Sequence, residues 1–546
     1  MSSEQPTRCW WKEGVVYQIY CRSFKDTTGN GFGDLDGIIS KIPYLQDLGV
    51  TIVWLNPIYA SPDADNGYDI SDYYSISSKF GDMKKFDELL SRMHSAGIKV
   101  VMDLVVNHTS SEHPWFKASV TGEGDKKDYY IWSKETNDWR TFFSQSAWEY
   151  NATRQEYYLH LFAKGQPDLN WENSSVRSDV YKMMNWWFEK GIDGFRMDVI
   201  NMISKVIQFP TGGVFLNGPK IHDYLQEMNT KVLSKYDCFT VGEMPGVDSQ
   251  LASLYTSPER KELQMVFQFE HVSIGYQHGD KWAKGEWKLT ELKKCLMKWQ
   301  SELHGRGWNS LYLNNHDQPR QVSRWGDDQK YRVESAKMLA TMLHTLEGTP
   351  YIYQGEEIGM TNFKVERIED IDDCETLGRW EEIQTTHQLT LEQFLERASE
   401  VGRDNARTPM QWDETENAGF THGKPWLRVN PNYKEINVKK ALEDKDSIFY
   451  YYQKLLKLRK ENSIMVYGVT HSILDENESI FAYTRSFEEK TWLIILNFFG
   501  QETLFEAPEN LNTKNHKLII SNYQVDNEED IQKFILKPYE ARVYSL

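Results

Sequence analysis

The chain is short of cysteine, of long apolar runs and of positive charge. Its five cysteines, at 9, 21, 238, 295 and 374, are odd in number and scattered over 546 residues. No Cys-x-x-Cys spacing occurs, which argues against a zinc site or a disulfide framework. Reduced thiols fit a cytoplasmic address. No stretch approaches the roughly 20 apolar residues of a membrane span. The opening Met-Ser-Ser-Glu-Gln-Pro-Thr-Arg lacks the apolar core of a signal peptide. Lys and Arg number 62 against 80 Asp and Glu, a net charge of −18. That balance argues against nucleic-acid or anionic-membrane partners. It favours a soluble, monomeric protein with a small neutral or cationic ligand.

Aromatic residues, in contrast, are plentiful: 14% of the chain, with 19 Trp and 30 Tyr. Most must fill cores, and the remainder supply flat faces for stacking on sugar rings. Short β-branched or aromatic runs at 15–20, 50–57, 98–106, 194–200, 238–243, 263–269, 309–315 and 350–354 read as strands. Amphipathic segments at 84–96, 176–190 and 218–233 lie between them. Strand–helix alternation implies a parallel sheet. Eight such strands predict an α/β fold, a (β/α)8 TIM barrel with functional residues on the loops after its strands. Residues 108–170 are too long and too polar for an ordinary connection and read as an inserted subdomain. The barrel then occupies 1–107 and 171–462, with a second insertion at about 361–410 that carries a helical pattern at 389–401. From 463 to 546 the runs become short and alternating, which predicts a C-terminal antiparallel β domain.

Three carboxylates stand at the ends of strand-like runs: Asp198 in Gly194-Phe-Arg-Met-Asp198, Glu243 in Val241-Gly-Glu243 and Asp317 in Asn315-His-Asp317. A carboxylate at the exit of a buried strand costs desolvation energy and needs partners or a task. With Arg196 and His316 beside two of them, acid/base or glycosyl chemistry at a barrel mouth is expected.

Together with Asp103-Leu-Val-Val-Asn-His108 and Gln166-Pro-Asp-Leu-Asn170, these runs resemble, in order, the motifs of the α-amylase family of glycoside hydrolases, family 13. The resemblance covers nearly the whole chain. Asp65-Asn-Gly-Tyr-Asp-Ile-Ser-Asp-Tyr73 and Gly402-Arg-Asp-Asn-Ala-Arg-Thr-Pro-Met-Gln-Trp412 are most similar to its oligo-1,6-glucosidase and α-glucosidase branch. The resemblance implies Asp198 as nucleophile, kept ionised by Arg196, and Glu243 as general acid/base. It implies Asp317 as a grip on sugar hydroxyls that stabilises the transition state. His108 and His316 would donate to the same sugar, while Asp103 and Asn107 support the third-strand loop. Asp65 and Arg407 resemble a pair that recognises the terminal glucose, which favours exo action. Tyr68 would stack on that glucose, with Phe143, Phe162 and Gln166 lining the insertion side and Arg403 nearer the leaving sugar. Asp26-Thr-Thr-Gly-Asn-Gly-Phe-Gly-Asp34 is similar to the start of a calcium loop, with Asp26, Thr28, Asn30, the Phe32 carbonyl and Asp34 as ligands of a structural Ca²⁺. The family more usually has Asn and Asp where Thr28 and Asn30 stand, and Gly37 occupies the position of a bidentate Glu.

The activity implied is that of a retaining exo-acting α-glucosidase cleaving α-1,6 bonds of isomaltose-type oligosaccharides. Val199 after the nucleophile and Met244-Pro245-Gly246 after the acid carry the bond preference, since α-1,4-specific relatives tend to have Ala or Thr after the nucleophile. Alternatives are an α-1,4-glucosidase or sucrose-active enzyme, a trehalose-6-phosphate hydrolase and a sucrose isomerase. The second of these would need cations near 244–247; the third usually carries an Arg-rich loop where Gln321-Val-Ser-Arg-Trp-Gly-Asp-Asp328 stands. A transporter heavy subunit with the same barrel as a scaffold would need a membrane span.

Overall fold

Eight parallel strands form the centre of the molecule: β1 Val16–Ile19, β2 Ile52–Leu55, β3 Lys99–Val105, β4 Gly194–Asp198, β5 Phe239–Glu243, β6 Met265–Phe267, β7 Ser310–Leu311 and β8 Thr349–Tyr353. Their order in the computed structural model, which describes residues 8–526 and 529–546, is β6-β5-β4-β3-β2-β1-β8-β7. One parallel bridge, Val266 to Asn309, joins β6 to the start of β7 and closes the ring. The expected barrel is therefore present. The polar start of the chain, read above for a signal core, falls mainly on residues 1–7, outside the described residues. Among the described residues no helix is long and apolar enough to cross a membrane.

The helices follow from local sequence. In α1, Met83–Ser95, the Asp82 side chain accepts from the Lys85 amide and caps the first turn. Phe86, Leu89, Leu90 and Met93 then recur at helical spacing on the buried face. In α2, Ser174–Lys190, Asn173 caps the start and Gly191, at φ 105°, takes the left-handed position that ends it. The barrel interior is filled by Val16, Ile52, Trp54, Val101, Phe239, Val241, Met265, Phe267 and Tyr351, drawn from six of the strands.

Between β3 and α2 lies a three-stranded antiparallel sheet of Trp132–Ser133, Glu156–Leu159 and Trp148–Asn151. After α3, Arg332–Thr345, and β8 come two helices of the second insertion, α4 Cys374–Thr386 and α5 Leu391–Val401. The sequence pattern indicated only α5. The C-terminal residues form a five-stranded antiparallel sheet, Val469–Ile473, Ile480–Phe487, Lys490–Asn497, Ala541–Ser545 and Lys517–Ser521 in spatial order. A strand pair not legible in the sequence, Thr503–Glu506 with Lys533–Leu536, covers its outer face with Phe505, Phe534 and Leu536. The other face, with Phe481, Tyr483 and Ile494, joins the main core.

Candidate active site

Strand periodicity builds the site. Successive side chains point to opposite faces, so residues two apart share one. Val101 and Asp103 of β3 and Val241 and Glu243 of β5 form inward rows that change from apolar to charged toward the strands' C-terminal ends, and between them the β4 row carries two charges, Arg196 and Asp198. Asp198 and Glu243 are the last residues of β4 and β5. Asp317 is different: β7 ends at Leu311, and Asp317 stands on the loop beyond it rather than at a strand exit.

Arg196 organises this end of the barrel. Its Nη1 lies 2.9 Å from Asp103 Oδ1 and 2.8 Å from Asp198 Oδ1, and its Nη2 lies 2.7 Å from Glu243 Oε1. The side chain is 1% exposed. One buried guanidinium thus meets three carboxylates, so the partners include Asp103 and Glu243 as well as the expected Asp198. Burial pushes the Asp103 carboxyl up to about 6, with Arg196 opposing. Burial also raises Asp198, Arg196 opposes it, and the Glu243 and Asp103 charges add to the rise.

Asp317 sits in the opposite field. Burial works against its charge, but His316, Arg403 and Arg407 hold it well below the usual carboxylate range. Arg407 Nη2 is 2.6 Å and Arg403 Nη1 3.3 Å from Asp317 Oδ1.

A chain of polar groups fixes the histidines and Tyr68. The Gln18 amide nitrogen is 2.9 Å from His316 Nδ1 and donates to Asn56. Nδ1 therefore accepts, and Nε2–H faces the Tyr68 hydroxyl at 2.8 Å and Asp317 Oδ2 at 3.1 Å. The Tyr68 hydroxyl donates to Asp103 Oδ2 at 3.0 Å, and its ring stacks on His316 at 5.3 Å. Burial lowers His316 to about 3, so the ring is neutral. His108 takes Asn107 Nδ2 at Nδ1 and directs Nε2 to the Tyr68 carbonyl at 3.1 Å. Burial lowers its pKa too. Gln166 Nε2 reaches Asp65 Oδ2 at 3.2 Å.

Two expectations about the arginines need correction. Asp65 does not pair with Arg407; it faces Arg403, whose Nη2 is 3.4 Å from Asp65 Oδ1. Arg403 is thus not set apart toward a leaving sugar but binds Asp65, Asp317, Asp373 and Glu375 together. It precedes the short helix Asp404–Arg407, so the two guanidiniums, four residues apart, divide the work. Arg407 is directed inward, donating from Nε to the His316 carbonyl at 3.0 Å as well as holding Asp317.

These groups surround a cavity of about 430 Å³. Asp198, Glu243, Asp317, Asp65, Tyr68, His108, Phe143, Phe162, Gln166, Val199 and Arg403 line it. Arg196, His316, Arg407 and Met244 do not. The first three stand behind the lining and hold it, and Met244, 0% exposed, packs into the main core while Pro245 faces the cavity. The sequence reading also missed Phe142, Met202, Phe269, Tyr276, Lys281, Trp282, Glu375 and Arg379, which complete the walls. Several follow β6 or lie on α4, and the run Tyr276–Trp282, aromatic residues among polar ones just after a barrel strand, was the available signal.

The 26–34 loop lies apart from the cavity lining. Asp26 accepts from the amides of Thr28, Gly29 and Gly31 and from the Thr421 hydroxyl. Asp34 caps the helix Leu35–Ser40 through the Gly37 amide and accepts from Thr27. Asn30 Oδ1 accepts from the Phe32 amide. Oxygen donors alternate as a calcium loop requires, and Gly31, at φ 92°, makes the sharp turn. The two carboxylates are already occupied by internal donors, so a bound ion would have to turn hydroxyls such as Thr28 from donors into ligands. Among the described residues no group of three or more His, Cys, Asp or Glu side chains is placed to hold a metal.

Comparison with known proteins agrees with this geometry. The profile of the α-amylase catalytic domain matches residues 18–468, and that of the maltogenic amylase C-terminal domain matches 471–543. An oligo-1,6-glucosidase of Parageobacillus thermoglucosidasius is 56% identical over 99% of both chains. A crystal structure of Bacillus licheniformis trehalose-6-phosphate hydrolase superimposes with TM-score 0.93 at 50% identity, over 98% of this chain and 100% of that one. The isomaltulose synthase of Protaminobacter rubrum gives 0.95 at 40% identity, over 98% and 99%. The chain belongs to the α-amylase family of glycoside hydrolases.

Proposed function

We propose that the enzyme is a retaining, exo-acting α-glucosidase that removes glucose from the non-reducing end of isomaltose-type oligosaccharides by cleaving α-1,6 bonds. The observation that carries this is the pairing of Asp198 and Glu243 through opposite nitrogens of Arg196, with the Val199 amide also bonded to Glu243. A single guanidinium and one adjacent peptide span the two carboxyls, which supports the short separation of retaining enzymes, about 5–5.5 Å, over the longer one of inverting enzymes.

Asp198 Oδ1 is held by Arg196, so Oδ2 attacks the anomeric carbon. Glu243 gives a proton to the glycosidic oxygen as the C1–O bond breaks, leaving glucose esterified to Asp198. Water then enters; Glu243 takes its proton, the water oxygen bonds C1, and Asp198 departs as a carboxylate. Arg196 and the Val199 amide hold the Glu243 carboxyl in place through both steps. Asp317, kept negative by the arginines, binds sugar hydroxyls and stabilises the oxocarbenium-like transition state.

The cations of the outer wall favour a neutral substrate over a phosphorylated one. Lys281 is paired with Glu375 at 2.6 Å and Arg379 with Asp280 at 3.0 Å. A phosphate would have to break such pairs. The named relatives support the α-1,6 choice through the oligo-1,6-glucosidase at 56% identity. A cytoplasmic, monomeric enzyme without a nucleic-acid partner fits the charge of −18 and the free thiols of Cys21, Cys238, Cys295 and Cys374. A structural Ca²⁺ held by Asp26, Thr28, Asn30, the Phe32 carbonyl and Asp34 belongs to the same proposal. The test is kcat/KM on isomaltose, maltose, sucrose and trehalose-6-phosphate side by side. Isomaltose should lead; a lead for any other substrate overturns the assignment.

A further inference from the structure

The loop that presents Asp65 has little regular structure of its own. Asp63, at φ 67°, and Asn66, at φ 51°, both take left-handed backbone conformations that cost energy for residues with a Cβ. Such strain persists only where the surroundings fix it. Arg22 and Lys79 hold the Asp63 carboxylate, and one further buried side chain anchors the turn from within. Asp69 is 0% exposed, and its Oδ1 accepts from the Asp65 amide at 3.1 Å and the Ser61 hydroxyl at 2.9 Å. Its Oδ2 accepts from the Ala64 amide at 2.9 Å. A single carboxylate thus gathers both ends of the 61–65 turn and bonds the very residue whose side chain enters the cavity.

We infer that Asp69 is a positioning residue for substrate binding: through the backbone of the 61–65 turn it sets where the Asp65 carboxylate meets the terminal sugar. This rests on the reading of Asp65 as a substrate-binding group. Asp69 itself does not line the cavity. An ionised carboxylate can accept all three donors at once. Asn in its place has one acceptor oxygen and an NH₂ that must face an N–H or O–H donor, so at least one anchor is lost and Asp65 drifts. Misplacement of about 1 Å at such a group costs on the order of 100-fold.

The experiment is a double-mutant cycle of Asp69→Asn and Asp65→Ala in the full-length enzyme, reading kcat and KM on isomaltose. Asp69→Asn alone should raise KM by about 10- to 100-fold while kcat falls much less. In the Asp65→Ala background the same substitution should change KM by less than about 2-fold, because the group it positions is gone. Equal effects in both backgrounds, or a fall in kcat with KM unchanged, would overturn the proposal. Should Asp69→Asn fail to fold, Ser61→Ala removes one donor to the same carboxylate and enters the same cycle with a smaller effect. If the wild type does not cleave isomaltose, the substrate assignment fails separately. The cycle is then run on p-nitrophenyl α-glucoside, with the same outcomes for and against.

Discussion

The backbone amide of Val199 donates to Glu243 Oε2 at 3.2 Å, from a residue whose φ is +34°. For a β-branched residue this conformation is an outlier that costs about 1–3 kcal/mol. It turns the peptide after Asp198 toward the neighbouring strand's carboxyl and sends the Val199 side chain among Trp139, Trp148 and Met202 at the cavity wall.

That placement makes Val199 a test of bond preference. In the proposed function its two γ-methyls would narrow the cavity beside the scissile bond. An α-1,6 linkage has an extra rotatable methylene with which to swing around them; an α-1,4 linkage has none. Val199→Ala or Val199→Thr should raise maltose hydrolysis relative to isomaltose, by a shape term of about 1–3 kcal/mol or roughly 10–200-fold. The ratio of kcat/KM values on the two sugars decides, and an unchanged ratio leaves Val199 as wall packing only.

Arg196→Gln should be costly in two ways. Removing the one guanidinium among Asp103, Asp198 and Glu243 leaves buried carboxylates without their cation, at about 3–5 kcal/mol of stability. It also removes the influence that holds the Asp198 carboxyl down against burial. The nucleophile must be ionised, so the acidic limb of the pH profile for kcat/KM should move to higher pH. A limb that stays in place would show that Arg196 serves structure alone.

Glu356, outside the cavity lining, gives a prediction on stability. Burial pushes its carboxyl up to about 8, with the Tyr452 hydroxyl and the Tyr353 amide opposing and the Glu357 charge adding. The unfolded chain releases this proton near pH 4.5 while the folded protein retains it to about 8, so stability falls with rising pH across that window. Glu356→Gln should flatten the decline of Tm between pH 5 and 8. Parallel Tm curves for wild type and variant would contradict the assignment.

Calcium can be assessed through stability. If the 26–34 loop takes up the ion, added Ca²⁺ should raise Tm and a chelator should lower it, with the shift abolished in Asp26→Asn. A Tm indifferent to both treatments would show that the loop's hydrogen bonds suffice.

Much of this arrangement was readable beforehand because strand periodicity and motif order act locally. Arg196 and Asp198 are two apart on one strand, so their shared face needs no tertiary information. That Arg196 also meets Asp103 and Glu243 depends on the strand order β5-β4-β3, which no single strand records. The arginines show the same limit. Both were recognisable in one short run, but whether Arg403 or Arg407 faces Asp65 is decided by side-chain direction at the start of a four-residue helix. Met244 was misplaced because its neighbour Glu243 ends the strand: the chain turns there, and Pro245 instead reaches the cavity. The wall from Tyr276, Trp282, Glu375 and Arg379 is assembled from the connection after β6 and the distant second insertion, and α4 has only Thr376, Gly378 and Ile383 buried, too weak an apolar stripe to read.

Stereochemistry tests the central claim most directly. If Asp198 attacks and Glu243 serves first as acid and then as base, isomaltose must release its non-reducing glucose with the α configuration. Proton NMR of the first turnovers, recorded before mutarotation, should show α-glucose from that end, and Asp198→Asn or Glu243→Gln should abolish the signal while leaving thermal unfolding intact. Initial release of β-glucose, or near-normal turnover by either amide variant, would contradict the account.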